Sequence, residues 1–411
     1  MNSFRIDRIG SGGDGVAEGP DGPVYVPFGL PGEIYERDAG GYFSLKGPDS
    51  EQRVGARCQH FGVCGGCIAQ HMRRDVYEAW KRGLVAGAFN AQGLAAPDFS
   101  FVSVAPGSRR RCTLTAARAR DGIRLGFHAA KSHDLIGLRE CPVLMDAIVS
   151  RFDGLAAVAN TTFGMMSKKA REGTVRLQVS ALGGALDVAI DATGVNVDVD
   201  GRTQLADLAE RHGFQRIAIG DDVVVLRDIP PLVTSAGVIT PPPGAFFQAV
   251  ESAERTMADA IVTGLGKSKR VADLFAGIGT FTLPIARKAR VMAIDSDKTA
   301  LVALKEAANR SQGLKPVSTL LRDLFREPLS PMELADFDAV VMDPPRAGAK
   351  AQAEAVAKSK IGTVVMVSCN PATLARDVGA LLAGGFKLGP MVAIDQFLWT
   401  GHLEAVAVLK R

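Results

Sequence analysis

From about residue 246 onward, short apolar runs alternate with longer segments of helical period. The runs RVADLF, RVMAID, STLL, DAVVMD and TVVMVS are rich in Val, Ile and Leu, as strands buried on both faces read. Helix-like segments separate them, so the pattern predicts an α/β doubly wound parallel sheet. The last two runs, MVAIDQF and LEAVAVLK, predict a closing strand pair. Residues 151–245 carry the alternating segments TVRLQVSA, ALDVAIDA and RIAIGDDVVVLRD, a β-rich middle. Residues 1–52 are shorter strands cut by glycine and proline, which predicts a small β-barrel. Met72–Gln92 reads as a helix. These breaks divide the chain at 1–52, 53–240 and 241–411, with Pro241–Pro243 opening the last segment.

Composition narrows this picture. At 411 residues and 47% hydrophobic, the chain can bury the cores of two or three domains. Its start, MNSFRIDRIG, lacks the apolar centre of a signal peptide. No apolar run reaches the roughly 18 residues of a membrane helix. A cytoplasmic monomer with no membrane partner is expected, in which disulfides are rare and clustered cysteines point to metal or catalysis. The net charge of +4 neither demands nor excludes nucleic acid. Locally it is informative: residues 101–140 hold eight Lys/Arg against three Asp/Glu, a basic face suited to phosphates. Residues 1–52 hold nine Asp/Glu against four Lys/Arg, a poor phosphate clamp.

The ends of the predicted strands carry the chemistry. The first ends in DLFAGIGT, where Phe275, Gly277 and Thr280 precede a helix, and the glycines let backbone approach a ligand. Without GxGxxG, this turn fits a cofactor lacking pyrophosphate. Asp295 ends the second strand, placed to accept from ribose hydroxyls, and Asp323 follows the third. A lone strand-end carboxylate is as readily a helix cap; three in order after a glycine loop read as a cofactor site. Asp343 opens DPPRAG after the fourth strand, and Cys369 in SCNP ends the fifth. A cysteine there sits where ligands bind in such sheets, although a free cysteine is often packing. Gln248 heads a helix and can simply cap it.

Cys58, Cys64 and Cys67 follow C-x5-C-x2-C, and Cys141, in ECPVL, is the best fourth ligand. Four thiolates suit an iron–sulfur cluster or structural zinc. Cys112 is assigned to the core, and His60 and His71 to ordinary roles.

The motifs C-x5-C-G-G-C at Cys58–Cys67, ECP at Cys141, FFQ at Gln248, DPPRAG, SCNPATLARD and HLE at Glu404 occur in this order, over nearly the whole chain. In this the chain resembles the S-adenosylmethionine-dependent RNA uracil-5-methyltransferases, most of all those of 23S rRNA that carry a [4Fe-4S] cluster and a TRAM domain. The GSGGDG turn and VPFGLPGE carry the TRAM likeness. The resemblance implies a Rossmann-like methyltransferase domain behind a TRAM-like barrel and a central iron–sulfur domain. It implies a cluster on Cys58, Cys64, Cys67 and Cys141, and S-adenosylmethionine held by Gln248, Phe275, Gly277, Thr280, Asp295, Asp323 and Asp343. It further implies that Cys369 adds to uracil C6, that Asp343 bonds the ring edge, and that Glu404 removes the C5 proton. Uracil C5 is too poor a nucleophile to take a sulfonium methyl unaided, which is why the thiolate is needed. A free thiol is only a few per cent ionised at neutral pH, so the site is expected to favour the thiolate, with Arg346 or Arg376 contributing. Thr280 and Asp295 replace the family's commoner Asn and Glu, and FLWTGHLE replaces a proline-bearing version. RNA is the expected partner, rRNA ahead of tRNA. The rivals are cytosine-5 methylation, which Arg346 disfavours, and a non-catalytic iron–sulfur RNA-binding protein, for which Cys369 would be dispensable.

Overall fold

The computed structural model describes residues 2–120 and 122–411. Six short strands begin the chain: β1 (Asn2–Arg5), β2 (Arg8–Ile9), β3 (Gly15–Gly19), β4 (Gly22–Val26), β5 (Ile34–Arg37) and β6 (Phe43–Lys46). They form two three-stranded sheets, ordered β1-β5-β6 and β2-β3-β4. Phe4, Ile6, Ala17, Val26 and Tyr35 pack into one core shared by both. Behind it, Arg53 forms a salt bridge to the buried Glu33 (2.7 Å), tying this unit to the cysteine-bearing segment.

Helix α1 (Arg74–Ala91) and strand β7 (Phe99–Ser103) come next. Tyr77, Trp80, Lys81, Val85 and Phe89 recur at helical spacing and are the buried stripe of α1. Val85 and Phe89 belong to the core of the C-terminal sheet, and β7 is a parallel edge strand of that sheet, paired with residues 391–395. These two elements, early in sequence, are thus structural parts of the last domain.

The middle of the chain is a seven-stranded sheet. Its strands are β8 (Arg111–Ala119), β9 (Gly122–His128), β10 (Leu135–Gly137), β11 (Thr174–Leu182), β12 (Ala185–Asp191), β13 (Phe214–Ile219) and β14 (Asp222–Leu226), in spatial order β10-β9-β8-β11-β12-β13-β14. Helices α2 (Asp146–Val149), α3 (Phe152–Met165) and α4 (Val199–His212) accompany it. Strands β8 and β11 alternate, and their inward Leu114, Ala116, Val175, Leu177 and Val179 pack on Leu155, Val158 and Phe163 of α3. Cys112 lies in this core, as expected.

A small ribbon, β15 (Leu232–Val233) and β16 (Val238–Ile239), leads to the last domain. It comprises α5 (Glu251–Leu265), β17 (Arg270–Leu274), α6 (Thr282–Ala286), β18 (Arg290–Asp295), α7 (Lys298–Arg310), β19 (Val317–Leu321), β20 (Ala339–Met342), α8 (Lys350–Ala357), β21 (Thr363–Ser368), α9 (Pro371–Ala383), β22 (Lys387–Asp395) and β23 (Glu404–Lys410). The strand order β19-β18-β17-β20-β21-β23-β22-β7 is doubly wound. The sheet is parallel from β19 to β21, and β23 runs antiparallel to both its neighbours. Strand β21 is buried from Val364 to Ser368, which explains its continuous apolar sequence.

Candidate active site

The carboxyl ends of the central strands meet in one crevice. Strand β20 gives way to Asp343 directly after Met342, which pairs with Met366 of β21. Strand β21 stops because Pro371 begins α9 and Asn370 caps it, accepting from the Ala372 amide (3.1 Å). Only Cys369 and Asn370 connect strand to helix, so the thiol is held at the strand tip. Ser368 lies opposite Ala405 of β23, and the next residues outward are Cys369 and Glu404. The Asn370 amide and the Thr373 hydroxyl both donate to the carbonyl of Arg346 (3.2 and 3.3 Å), fastening the DPPRAG turn to the cysteine turn. Gly348 in that turn has φ +74°, and a Cβ there would lie 2.6 Å from the Asp377 carboxylate; only glycine suits it.

A chain of amides joins the polar groups. Gln248 Nε2 donates to Asp343 Oδ2 (3.3 Å). Gln396 Nε2 donates to Gln248 Oε1 (2.9 Å) and to Glu404 Oε1 (3.0 Å). Gln248, Gln396 and Glu404 are buried at 3%, 1% and 4% exposure, whereas Asp343 and Cys369 are half-buried at the crevice. Burial pushes the Glu404 carboxyl up to about 7, against the Gln396 hydrogen bond and the Arg346 charge. Burial and the nearby Glu404 also hold Asp343 well above the ordinary carboxylate range.

Cys369 departs from expectation. Burial, Glu404 and Asp343 push its thiol up to about 11, more than Arg346 offsets. Burial first, and then the carboxyls sharing the crevice, thus favour the neutral thiol over the thiolate in the resting site. Arg376 is engaged elsewhere, paired with Asp377 (2.7 Å) and donating to the Ala347 carbonyl.

Beside this crevice, Phe275 adopts φ +61° and Gly277 φ +54°. Nothing lies within 4 Å of a Cβ built on Gly277, which leaves open space over the turn. The Gly277 amide donates to Asp295 Oδ2 (2.8 Å), and the Phe275 and Phe325 rings lie 5.4 Å apart. Thr280 is buried. Asp323 caps its own turn, accepting from the Phe325 and Arg326 amides (2.9 and 3.3 Å).

The arginines of the 101–140 stretch divide. Arg110 is buried against Glu254 and donates to the Gln248 carbonyl (3.0 Å). Arg111 donates to the Phe247 carbonyl (2.7 Å) and lies over the exposed Phe246 ring. Arg109 stacks over Phe397. Arg110 and Arg111 brace the FFQ segment and Arg109 packs on Phe397, while Arg118, Arg120, Arg124, Lys131 and Arg139 remain as the exposed basic set.

Cys58, Cys64, Cys67 and Cys141 come together from residues far apart in sequence, lining a cavity of about 260 Å³ that Arg346 and His402 also reach. Gly65 donates its amide to the His128 carbonyl (2.9 Å), and a Cβ there would lie 2.9 Å from that oxygen, so glycine is required in the loop. Among the described residues, no three His, Cys, Asp or Glu groups converge tightly enough to hold a single metal ion. His60 accepts from the Arg139 amide (3.0 Å), and His71 is buried between the Phe28 and Phe61 rings; neither lines up as a ligand.

Gln396 and Lys81 escaped the sequence reading. Lys81 of α1, with no exposed side-chain surface, pairs with Asp395 (2.7 Å) and donates to the carbonyls of Phe397 and His402. Tyr77 donates to Asp395 (2.7 Å) and accepts from the Trp399 amide (2.8 Å). The signal available was a Lys within an apolar helical stripe and an Asp-Gln pair interrupting an apolar strand.

The comparisons now bear on this geometry. Residues 241–411 match the model of the tRNA (Uracil-5-)-methyltransferase family. The chain is 30% identical to the 23S rRNA (uracil(1939)-C(5))-methyltransferase RlmD of Aeromonas hydrophila, over 99% of this chain and 96% of that one. The chain belongs to the RNA (uracil-5-)-methyltransferase family. A protein of Agrobacterium fabrum named as an RNA methyltransferase is 41% identical over 100% of this chain and 99% of its own. The fold is similar to that of the Pyrococcus abyssi tRNA (uracil-54, C5)-methyltransferase solved with S-adenosyl-L-homocysteine, at a TM-score of 0.75, 24% identity and 99% coverage of both chains. As a member of this family the protein is an enzyme, an RNA methyltransferase. Among the described residues no helix is long and apolar enough to cross a membrane.

Proposed function

We propose that this enzyme transfers a methyl group from S-adenosylmethionine to C5 of a uridine in 23S rRNA, through a covalent bond between Cys369 and uracil C6. The observation that carries the reading is the amide chain linking Asp343 to Glu404 beside the Cys369 strand tip. It supports reading Cys369 as the nucleophile, Asp343 as the ring-edge partner and Glu404 as the base.

Bound S-adenosylmethionine supplies an electrophilic methyl group; the open turn at Gly277, with Asp295, Phe275 and Thr280, suits it, as does Gln248 at the crevice. Cys369 gives up its proton to water at the half-open crevice as sulfur bonds to C6 and the C5–C6 π pair moves toward O4, which leaves Glu404 free to act later. Asp343, held well above the ordinary carboxylate range by burial and by Glu404, hydrogen-bonds the ring edge and stabilises the enolate. After C5 takes the methyl group, Glu404 removes the C5 proton. The C5–C6 double bond re-forms, the S–C6 bond breaks, and the sulfur leaves. A site that shelters a neutral thiol gains from this arrangement, because the thiolate forms only when a pyrimidine is there to receive it.

The four cysteines suit a cluster better than zinc. That preference rests on the family resemblance; the four cysteines line one cavity, which a Cys₄-bound [4Fe-4S] cluster would fit. Anaerobically purified protein is expected to hold about four irons per chain, and stoichiometric zinc would overturn the assignment. We read the two N-terminal sheets as TRAM-like, with RNA contacts limited by their acidity.

The rRNA choice rests on the full-length likeness to the 23S rRNA enzyme. The test supplies labelled methyl donor with unmodified 23S rRNA and tRNA transcripts to wild type and Cys369→Ala. Label is expected in 5-methyluridine from rRNA and lost in the variant. Label in tRNA alone would reassign the substrate, and 5-methylcytidine would reassign the reaction.

A further inference from the structure

Gln396 stands at the end of β22, directly after Asp395, whose carboxylate is clamped by Lys81 and Tyr77. Its own side chain is 1% exposed. A carboxylate only accepts hydrogen bonds, so Gln396 must turn its NH₂ toward Glu404. Gln248 likewise presents its NH₂ to Asp343, leaving its oxygen for the second hydrogen of Gln396. The partners thus settle both amide orientations. One nitrogen serves Glu404 Oε1 at 3.0 Å and Gln248 Oε1 at 2.9 Å. Among the described residues, Glu404 Oε2 is buried and has no hydrogen-bond partner.

We infer that Gln396 is a positioning residue for the base: it holds Glu404 by Oε1, favours its carboxylate form, and leaves Oε2 as the atom that receives the C5 proton. The inference rests on the reading of Glu404 as the base. The charged and titratable groups facing Glu404 are Asp343 and Cys369, which oppose its ionisation, and Arg346, which favours it. Arg346 is exposed and its attraction is screened by solvent, so Gln396 is the buried donor on the anion's side. The same nitrogen ties the base to Gln248, and through it to Asp343. Ring-edge recognition and proton removal are therefore joined through Gln396, just after β22, whose neighbour Asp395 is anchored from α1.

The test compares Gln396→Met, which keeps length and removes the donor, with wild type and Glu404→Gln. Without the donor, Glu404 ionises at higher pH. The acid limb of kcat should move up by about one pH unit, a loss of about tenfold on that limb. KM for RNA should change less than kcat, and methylated RNA should accumulate on Cys369 as a denaturation-resistant adduct. Gln396→Asn, which withdraws the amide by one methylene, should shift the limb in the same direction and decides the matter if Gln396→Met does not fold. In a Glu404→Gln background, removing Gln396 should add nothing to adduct accumulation. An unshifted acid limb in folded Gln396→Met, beside a Glu404→Gln that traps adduct, overturns the role of Gln396 alone. If Glu404→Gln turns over like wild type, the base reading fails and this inference fails with it.

Discussion

Glu404→Gln is expected to convert the enzyme into one that methylates once and stays bonded to its RNA. The substitution is isosteric, and its new carbonyl oxygen can still accept from Gln396, so the fold has no reason to change. Methyl transfer precedes proton removal in the proposed sequence, so a variant lacking the base should complete the first and stall at the second. The signature is a methylated RNA–protein band that survives denaturing electrophoresis and disappears in the Cys369→Ala, Glu404→Gln double variant. Multiple turnover should fall by about 10²- to 10⁴-fold, the usual contribution of a general base. The pH dependence has a definite sign. Burial pushes Glu404 up to about 7, so below that pH it carries a proton and cannot accept another. Wild-type kcat should therefore rise with pH through about 7, and the variant's residual rate should lack that limb. A Glu404→Gln enzyme with normal turnover would show that the base is elsewhere.

The second large effect is on stability. Lys81→Met keeps the length of the side chain but leaves Asp395, at 0% exposure, without its cation. Breaking a fully buried pair on one side typically costs about 3–5 kcal/mol, because a charge stays behind in a poor solvent. The carbonyls of Phe397 and His402 lose a donor as well. The melting temperature should drop by several degrees, and turnover should fall further than the remaining folded fraction explains, since residues 396–403 lead to Glu404. Adding Asp395→Asn should recover part of the lost stability by removing the stranded charge. If Lys81→Met melts like wild type, the pair is not what anchors this loop.

Much of the site was legible before any coordinates. Cys369, Asp343 and Glu404 stand in motifs bounded by apolar strands, and motif plus strand end is enough to locate a residue at the rim of an α/β sheet. The basic run at 109–111 misled for a related reason. Sequence shows charge but not direction: Arg110 and Arg111 point inward to Glu254 and the FFQ carbonyls, and Arg109 to the Phe397 ring. Asp323 shows the same limit, because a cap and a cofactor contact read alike in one dimension.

Local pattern by itself determined the order of strands and helices in the last domain, the glycine turn, the cysteine spacing and the strand-end positions of Asp343 and Cys369. These depend on side-chain period, on the backbone freedom of glycine and on intrinsic chemistry, all written within a few residues. Tertiary structure alone decided that α1 and β7 complete the catalytic sheet, and that Lys81 reaches Asp395 across some three hundred positions. It also decided that Gln396 bridges Gln248 and Glu404, and that Cys369 rests as a thiol. The physical reason is common to all four. Burial and pairing set the protonation and orientation of a polar group, and both come from residues that are neighbours only after the chain has folded.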